Sequence, residues 1–286
     1  VVSSSGPPLS PPRLTSLINT VVGSYATSFT PAALDFVAVA VEKFGTEGEA
    51  EGSFGGLLSH LAQITASHVQ AKGVSECTEL VAGFFGMAQR YLLFCPRALV
   101  TNDQFPLIYS FAVACLTQCR GERDSTRSSL TFLTQIIGRR SVRLSPETAK
   151  TVEEHRTVID AQTAQHGNDL VMGAFESLAG GTSQMLVAPF SDCLHAVVSH
   201  VLGADADGAE AATGAPALVE SWIVAALNSA HIPQHVTDSD KAAVLSAMLR
   251  IAGGGPKEKG KFKKLLADFE SVCRKELGGD ALAGYS

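Results

Sequence analysis

Cys115 and Cys119 stand four residues apart, a spacing that sets two thiols on one face of a helix, where a pair of soft metal ligands would sit. A structural zinc site needs four such ligands, and the chain offers no CxxC motif to complete the set. Both cysteines also fall on an apolar stripe, where a thiol packs as a small hydrophobe. Cys193, His195 and His200 gather on another helical stretch, but their separations of two, five and seven form no consistent i, i+4 ligand pair. Their pattern predicts ordinary helix positions, with His195 exposed and His200 partly buried. The glycine groups at 52–56 and 253–255 follow no strand and match neither GxxxxGK[ST] nor a dinucleotide fingerprint. A GxSxG nucleophile elbow is also missing. The sequence therefore nominates no catalytic, metal or cofactor-binding residue, and the chain reads as non-enzymatic.

Basic residues are the next chemistry on offer. Arg139, Arg140 and Arg143 crowd one loop, while Lys257, Lys259, Lys261, Lys263 and Lys264 crowd the start of the last long helix. On the wall of a curved helical array such groups would attract an acidic or phosphorylated partner. On an ordinary surface they simply keep an apolar chain soluble. A cationic cluster at a helix start opposes the helix dipole, which favours a partner at the lysines.

The elements that must position these residues are helical. The 286 residues are 45% hydrophobic and 17% charged, enough to bury a substantial core. A net charge of −6 argues against general nucleic-acid binding. No apolar run approaches the roughly 20 residues that span a bilayer. The six cysteines are scattered as in a reducing compartment.

Apolar residues recur at helical spacing almost throughout. Leu34, Val37, Val41 and Phe44 form one stripe, with Thr30 as an expected cap and Pro31 in the first turn. Leu57, Leu61, Ile64 and His68 form another. Leu80, Phe84, Ala88, Tyr91 and Cys95 follow, stopped at Pro96. Later stripes include Leu130, Leu133, Ile136 and Ile137, then Leu218, Trp222, Ala225 and Ser229. The periodicity predicts one polar helix over 151–165 and a separate stretch over 170–178, interrupted at Gly173. Connectors are expected at 45–53, 138–148, 203–215 and 253–260, with 1–12 and 203–215 flexible. The rhythm of helix, tight turn, helix and looser loop matches HEAT-type arrays, whose units run to about 40–47 residues. The expected fold is all-α, a right-handed HEAT-repeat α-solenoid of about six antiparallel helix pairs. It would form a single array over 1–286, expected to be the C-terminal part of a longer chain.

From Leu80 to Arg140 the chain resembles the C-terminal HEAT repeats of the importin-β superfamily, in the branch of transportin-SR and importin-thirteen. The resemblance rests on Phe84, Ala88, Arg90, Tyr91 and Pro96, then Pro106 and Ala112. A charged turn with Arg123 and Asp124 follows, and then Ser128, Phe132, Leu133, Ile136 and Ile137. The segment 14–45, Trp222 and the closing helix 262–277 carry weaker likeness. Glu122 stands where the family has His, and the chain after Lys150 diverges.

The resemblance implies a nuclear transport receptor segment that carries protein cargo, including serine/arginine-rich proteins, under control of Ran-GTP. It implies shuttling between cytoplasm and nucleus. Contacts to Ran-GTP and nucleoporins would lie mainly in N-terminal repeats absent from this chain. It implies no cofactor, membrane or direct nucleic-acid partner. Arg90, Arg123 and Asp124 would then brace adjacent repeats. A helical scaffold of the exportin or adaptor kind with no import role, and an all-α enzyme, are the alternatives.

Overall fold

The computed structural model describes residues 11–46, 51–118, 122–138, 144–204 and 215–285, and it is all-helical, with no strand among them. The order is α1 (Pro11–Ser28), α2 (Pro31–Phe44), α3 (Glu51–Lys72), α4 (Thr78–Phe94), α5 (Pro96–Val100), α6 (Phe105–Gln118) and α7 (Arg123–Ile137). Then come α8 (Pro146–Glu154), α9 (Arg156–Ala179), α10 (Gln184–Val201), α11 (Pro216–Leu227), α12 (Asp238–Gly253), α13 (Lys259–Cys273) and the single turn α14 (Asp280–Ala283). Arg139, Arg140, Arg143, Cys119 and most of the 1–12 and 203–215 segments lie outside the described residues.

The long helices pack in two rows. α2, α4, α7, α10 and α13 lie side by side in one row, each against the next. α3, α6, α9 and α11 form the other, and α12 closes that end by packing on α11, α10 and α13. The stripes explain this arrangement. Phe84 and Phe85 of α4 meet Phe111 of α6 at 5.7 and 5.2 Å between ring centroids, and Phe85 meets Phe132 of α7 at 5.7 Å. All four rings are buried, so one aromatic knot joins both rows at their middle. Three buried tyrosines satisfy their hydroxyls across helices: Tyr25 with Thr65 at 2.6 Å, Tyr91 with the Phe54 carbonyl at 3.1 Å, and Tyr109 with Thr163 at 3.1 Å.

Helix ends follow local chemistry with one surprise. Thr237 and Asp240 close a reciprocal capping box on α12, and Ser145 Oγ accepts from the Thr148 amide at 3.1 Å to start α8. Thr30 precedes α2 without capping it, because its hydroxyl bonds Ser28 Oγ at 3.0 Å; Pro31 alone presets the first turn.

Several expected boundaries move. Glu51–Ser53 belong to α3, not to the preceding connector, and Lys259 already starts α13. The chain at Pro96 restarts at once as α5. The closing helix stops at Cys273, leaving Leu277 exposed. On α11 the buried face is Val219, Trp222, Ile223 and Ala226, while Leu218 and Ala225 point outward. The expected break near residue 166 is absent; it falls instead at His155, and α9 runs unbroken through Gly167 and Gly173.

Those two glycines are contact points. A Cβ on Gly167 would lie 2.3 Å from the Trp222 ring, and one on Gly173 would lie 2.8 Å from Thr117 Cγ2. They let α11 and α6 approach the α9 backbone, so close packing offsets their poor helix propensity. Gly86 in α4, by contrast, has open space where its Cβ would be. Substitution should therefore act with opposite signs. Gly167→Ala gains the roughly 0.5–1 kcal/mol of helix propensity but meets an overpacking cost of about 1–3 kcal/mol, so it destabilises. Gly86→Ala collects only the gain of about 0.5–1 kcal/mol. Urea midpoints of the two variants check this.

Candidate functional site: an acidic groove across four helix starts

Four helices of the first row, α2, α4, α7 and α10, begin on the same edge of the molecule. An open groove of about 880 Å³ runs along that edge, lined by Pro31 and Asp35 of α2, Thr78, Glu79 and Gly83 of α4, the start of α7, and Ser183 before α10. Every lining residue comes from the opening turns of its helix or the residue before it, so these helices run parallel.

The groove is acidic. Asp35, Glu79, Glu122 and Asp124 contribute four carboxylates against the one guanidinium of Arg123, and all five residues are exposed. Glu79 and Asp124 lie in the first turns of α4 and α7 and Glu122 is the N-cap residue of α7, where the aligned peptide dipoles favour negative charge, while Asp35 stands one turn further into α2. Asp35, Glu79 and Asp124 stand 44 and 45 residues apart, and each falls within the first five residues of its helix. That spacing was the available signal for this groove.

Arg123 and Asp124 occupy the first turn of α7 and not a connecting turn, which corrects their expected setting. Arg123 reaches Met185 Sδ at 2.8 Å, and Arg127, one turn on, donates to the Met185 carbonyl at 3.3 Å. That carbonyl is open because Pro189, four residues later inside α10, has no N–H to give it. Arg90 of α4 pairs with Glu42 of α2 at 3.3 Å, both about half exposed. Such a surface pair contributes little energy, about 0–1 kcal/mol, though it links neighbouring helices of the row.

The lysines engage locally. Lys263 and Lys259 both reach Asp192 of α10, at 2.9 and 2.8 Å. Lys261 pairs with Glu258 at 2.7 Å, and Lys264 is exposed on α13. Two of the five lysines thus tie α13 to α10 and do not form a free cationic face.

The residues singled out for metal or nucleophilic chemistry are separated or buried. Among the described residues no group of three His, Cys, Asp or Glu side chains could hold a metal ion. Cys115 and Cys193 are fully buried. His195 is 5% exposed, against the expectation of an exposed ring, because it lies edge-on to Phe262 at 5.1 Å. No helix among the described residues is long and apolar enough to cross a membrane.

Burial decides the thiol chemistry. It pushes Cys193 up to about 12, with a hydrogen bond from Thr134 opposing, and Cys273 up to about 12, with the Glu270 charge adding to the effect. Cys95 rises to about 11, again mainly through burial. A buried thiol at such values carries negligible thiolate near neutrality and is a poor nucleophile. Native protein at about pH 8 should react with Ellman's reagent at these positions only after unfolding. The linkage has a definite sign. A thiol whose folded value lies above its ordinary 9.0 stabilises the fold fully below that pH, and the contribution is lost as pH rises toward the folded value. Melting temperatures should therefore fall above about pH 9, with a shallower fall in Cys193→Ala whatever its absolute stability. No family model matches the chain, and no curated protein matches it either.

Proposed function

We propose that the chain is a non-catalytic protein-binding segment built as a HEAT-type α-solenoid, whose acidic groove takes an extended basic stretch of a partner protein. The observation that carries the reading is the groove itself: parallel helices from four successive units set their first turns along one edge, with acids recurring at 44 and 45 residues. Units of about 40–47 residues are those of HEAT arrays, and such arrays use the surface made by stacked units for binding. Four carboxylates with one opposing cation complement Arg- and Lys-rich segments, and they steer association at low salt.

The likeness of Leu80–Arg140 to transport receptors supports a narrower form of the same reading. In that form the partner is cargo for Ran-GTP-regulated passage between cytoplasm and nucleus. The groove's sign favours basic cargo over the phosphorylated segments that the arginine and lysine clusters suggested.

Fluorescence anisotropy with a labelled Arg/Lys-rich peptide tests the binding claim. The whole chain should bind it, with affinity falling steeply between low and physiological salt. Asp35→Asn, Glu79→Gln, Glu122→Gln and Asp124→Asn together should weaken binding at least about tenfold while the chain stays helical. Equal affinity for a phosphorylated Arg-Ser peptide, or no loss in the fourfold variant, would remove the groove from the function. Passage of a fluorescent fusion through the nuclear envelope, compared with an inert protein of equal mass, addresses the transport claim separately.

A further inference from the structure

Arg156 is the first residue of α9 and only 4% exposed, yet it carries a full positive charge. Its guanidinium donates to the carbonyl of Ile136 at 3.2 Å and to that of Ile137, the last residues of α7. It thereby caps a helix C-terminus from outside, where carbonyls lack partners of their own and a cation complements the dipole. Nε lies 3.2 Å from Asp160 Oδ1, one turn along α9. The guanidinium also reaches Nδ1 of His200, near the end of α10, at 2.8 Å, and His200 Nε2 lies 2.9 Å from the same Asp160 oxygen. Three helices thus meet through one buried arginine and one imidazole.

The chemistry of this cluster fixes the ring's protonation. A guanidinium has five donors and no acceptor, so the nitrogen facing it must accept and carries no hydrogen. Nδ1 is therefore bare, and the proton sits on Nε2, beside the Asp160 carboxylate. A second proton has one place to go, which is Nδ1, and there N–H would face N–H at hydrogen-bond distance. A bond would become a repulsive contact between two cations.

Among the described residues, the buried Tyr109 of α6 also stands close to Arg156 and Asp160, with its hydroxyl on Thr163 of α9. Asp192 of α10 holds Lys259 and Lys263 of α13, and the His195 ring lies against Phe262. From α12 the contact to this end of α10 is the Ala252 carbonyl, which accepts from Ser199 at 3.2 Å.

We propose that His200 is a proton-operated catch: its protonation ejects Arg156 from the α7 carbonyls and loosens the junction of α7, α9 and α10. Asp160 is about half exposed and is able to hold a protonated ring, so the contact that gives way is Arg156 to His200. The two α7 carbonyls then lose their cap, and the seam of the first row opens at that point. Mild acidification would change the curvature of the stack without unfolding it.

Hydrogen exchange read by mass spectrometry, at about pH 7.5 and about pH 5 with intrinsic rates corrected, tests the catch. His200→Asn keeps an acceptor for Arg156 but does not titrate. Peptides covering 130–138 and 156–163 should exchange about tenfold faster in the wild-type chain than in His200→Asn at the lower pH, and equally at the higher. The same acid response in both proteins would overturn the proposal. The tautomer gives a second reading that needs no variant. Long-range proton–nitrogen NMR of the wild-type chain near pH 7.5 should show His200 protonated at Nε2 only, and an Nδ1–H or doubly protonated ring would overturn the assignment.

Discussion

Each helix of the first row has apolar residues on more than one side, and none can cover them alone. α4 shows the constraint most clearly. Phe84, Phe85, Leu92 and Tyr91 are all buried, but α2 covers one flank, α7 the other, and α3 supplies the carbonyl that satisfies Tyr91. Hydrophobic burial of this kind is non-directional and large, at about 25 cal/mol per Å². What it leaves undetermined is the register of one helix against the next. Polar contacts supply that at particular points: Arg127 on the Met185 carbonyl, Lys259 and Lys263 on Asp192, Arg156 on the end of α7.

Much of the helical content was legible because the stripes are strong. Leu80, Phe84, Ala88, Tyr91 and Cys95 are all buried, as are Leu130, Leu133, Ile136 and Ile137. Local rules failed where a distant residue decided the outcome. Gly173 read as an interruption, and the stretch holding Gly167 as a gap between helices, because helix propensity counts a glycine as a loss; Trp222 and Thr117, packed directly on Gly167 and Gly173, leave no room for a larger residue. His195 read as exposed because a lone histidine on a mixed face gives no sign of the Phe262 ring that covers it. On α11 the apolar set is nearly continuous, so periodicity alone did not say which side faces inward.

The groove was hidden for a related reason. Its carboxylates come from three stretches of chain more than 40 residues apart, which become neighbours only when α2, α4 and α7 align in parallel. Basic residues adjacent in sequence drew notice instead, although adjacency along a helix says little about a surface assembled from several helices. Lys259 and Lys263 illustrate this, since both turn toward Asp192 on a neighbouring helix.

Pro189 has a meaning for how the stack tells one neighbour from another. A regular helix presents almost identical flanks along its length, and sliding by one turn would preserve most greasy contact. A proline inside α10 breaks that sameness at a single rung, baring one carbonyl, and Arg127 is placed to find it. The defect therefore works as a notch in an otherwise smooth ratchet: α7 and α10 have one position where Arg127 meets the bared carbonyl, and a slip of one turn hands that carbonyl to water.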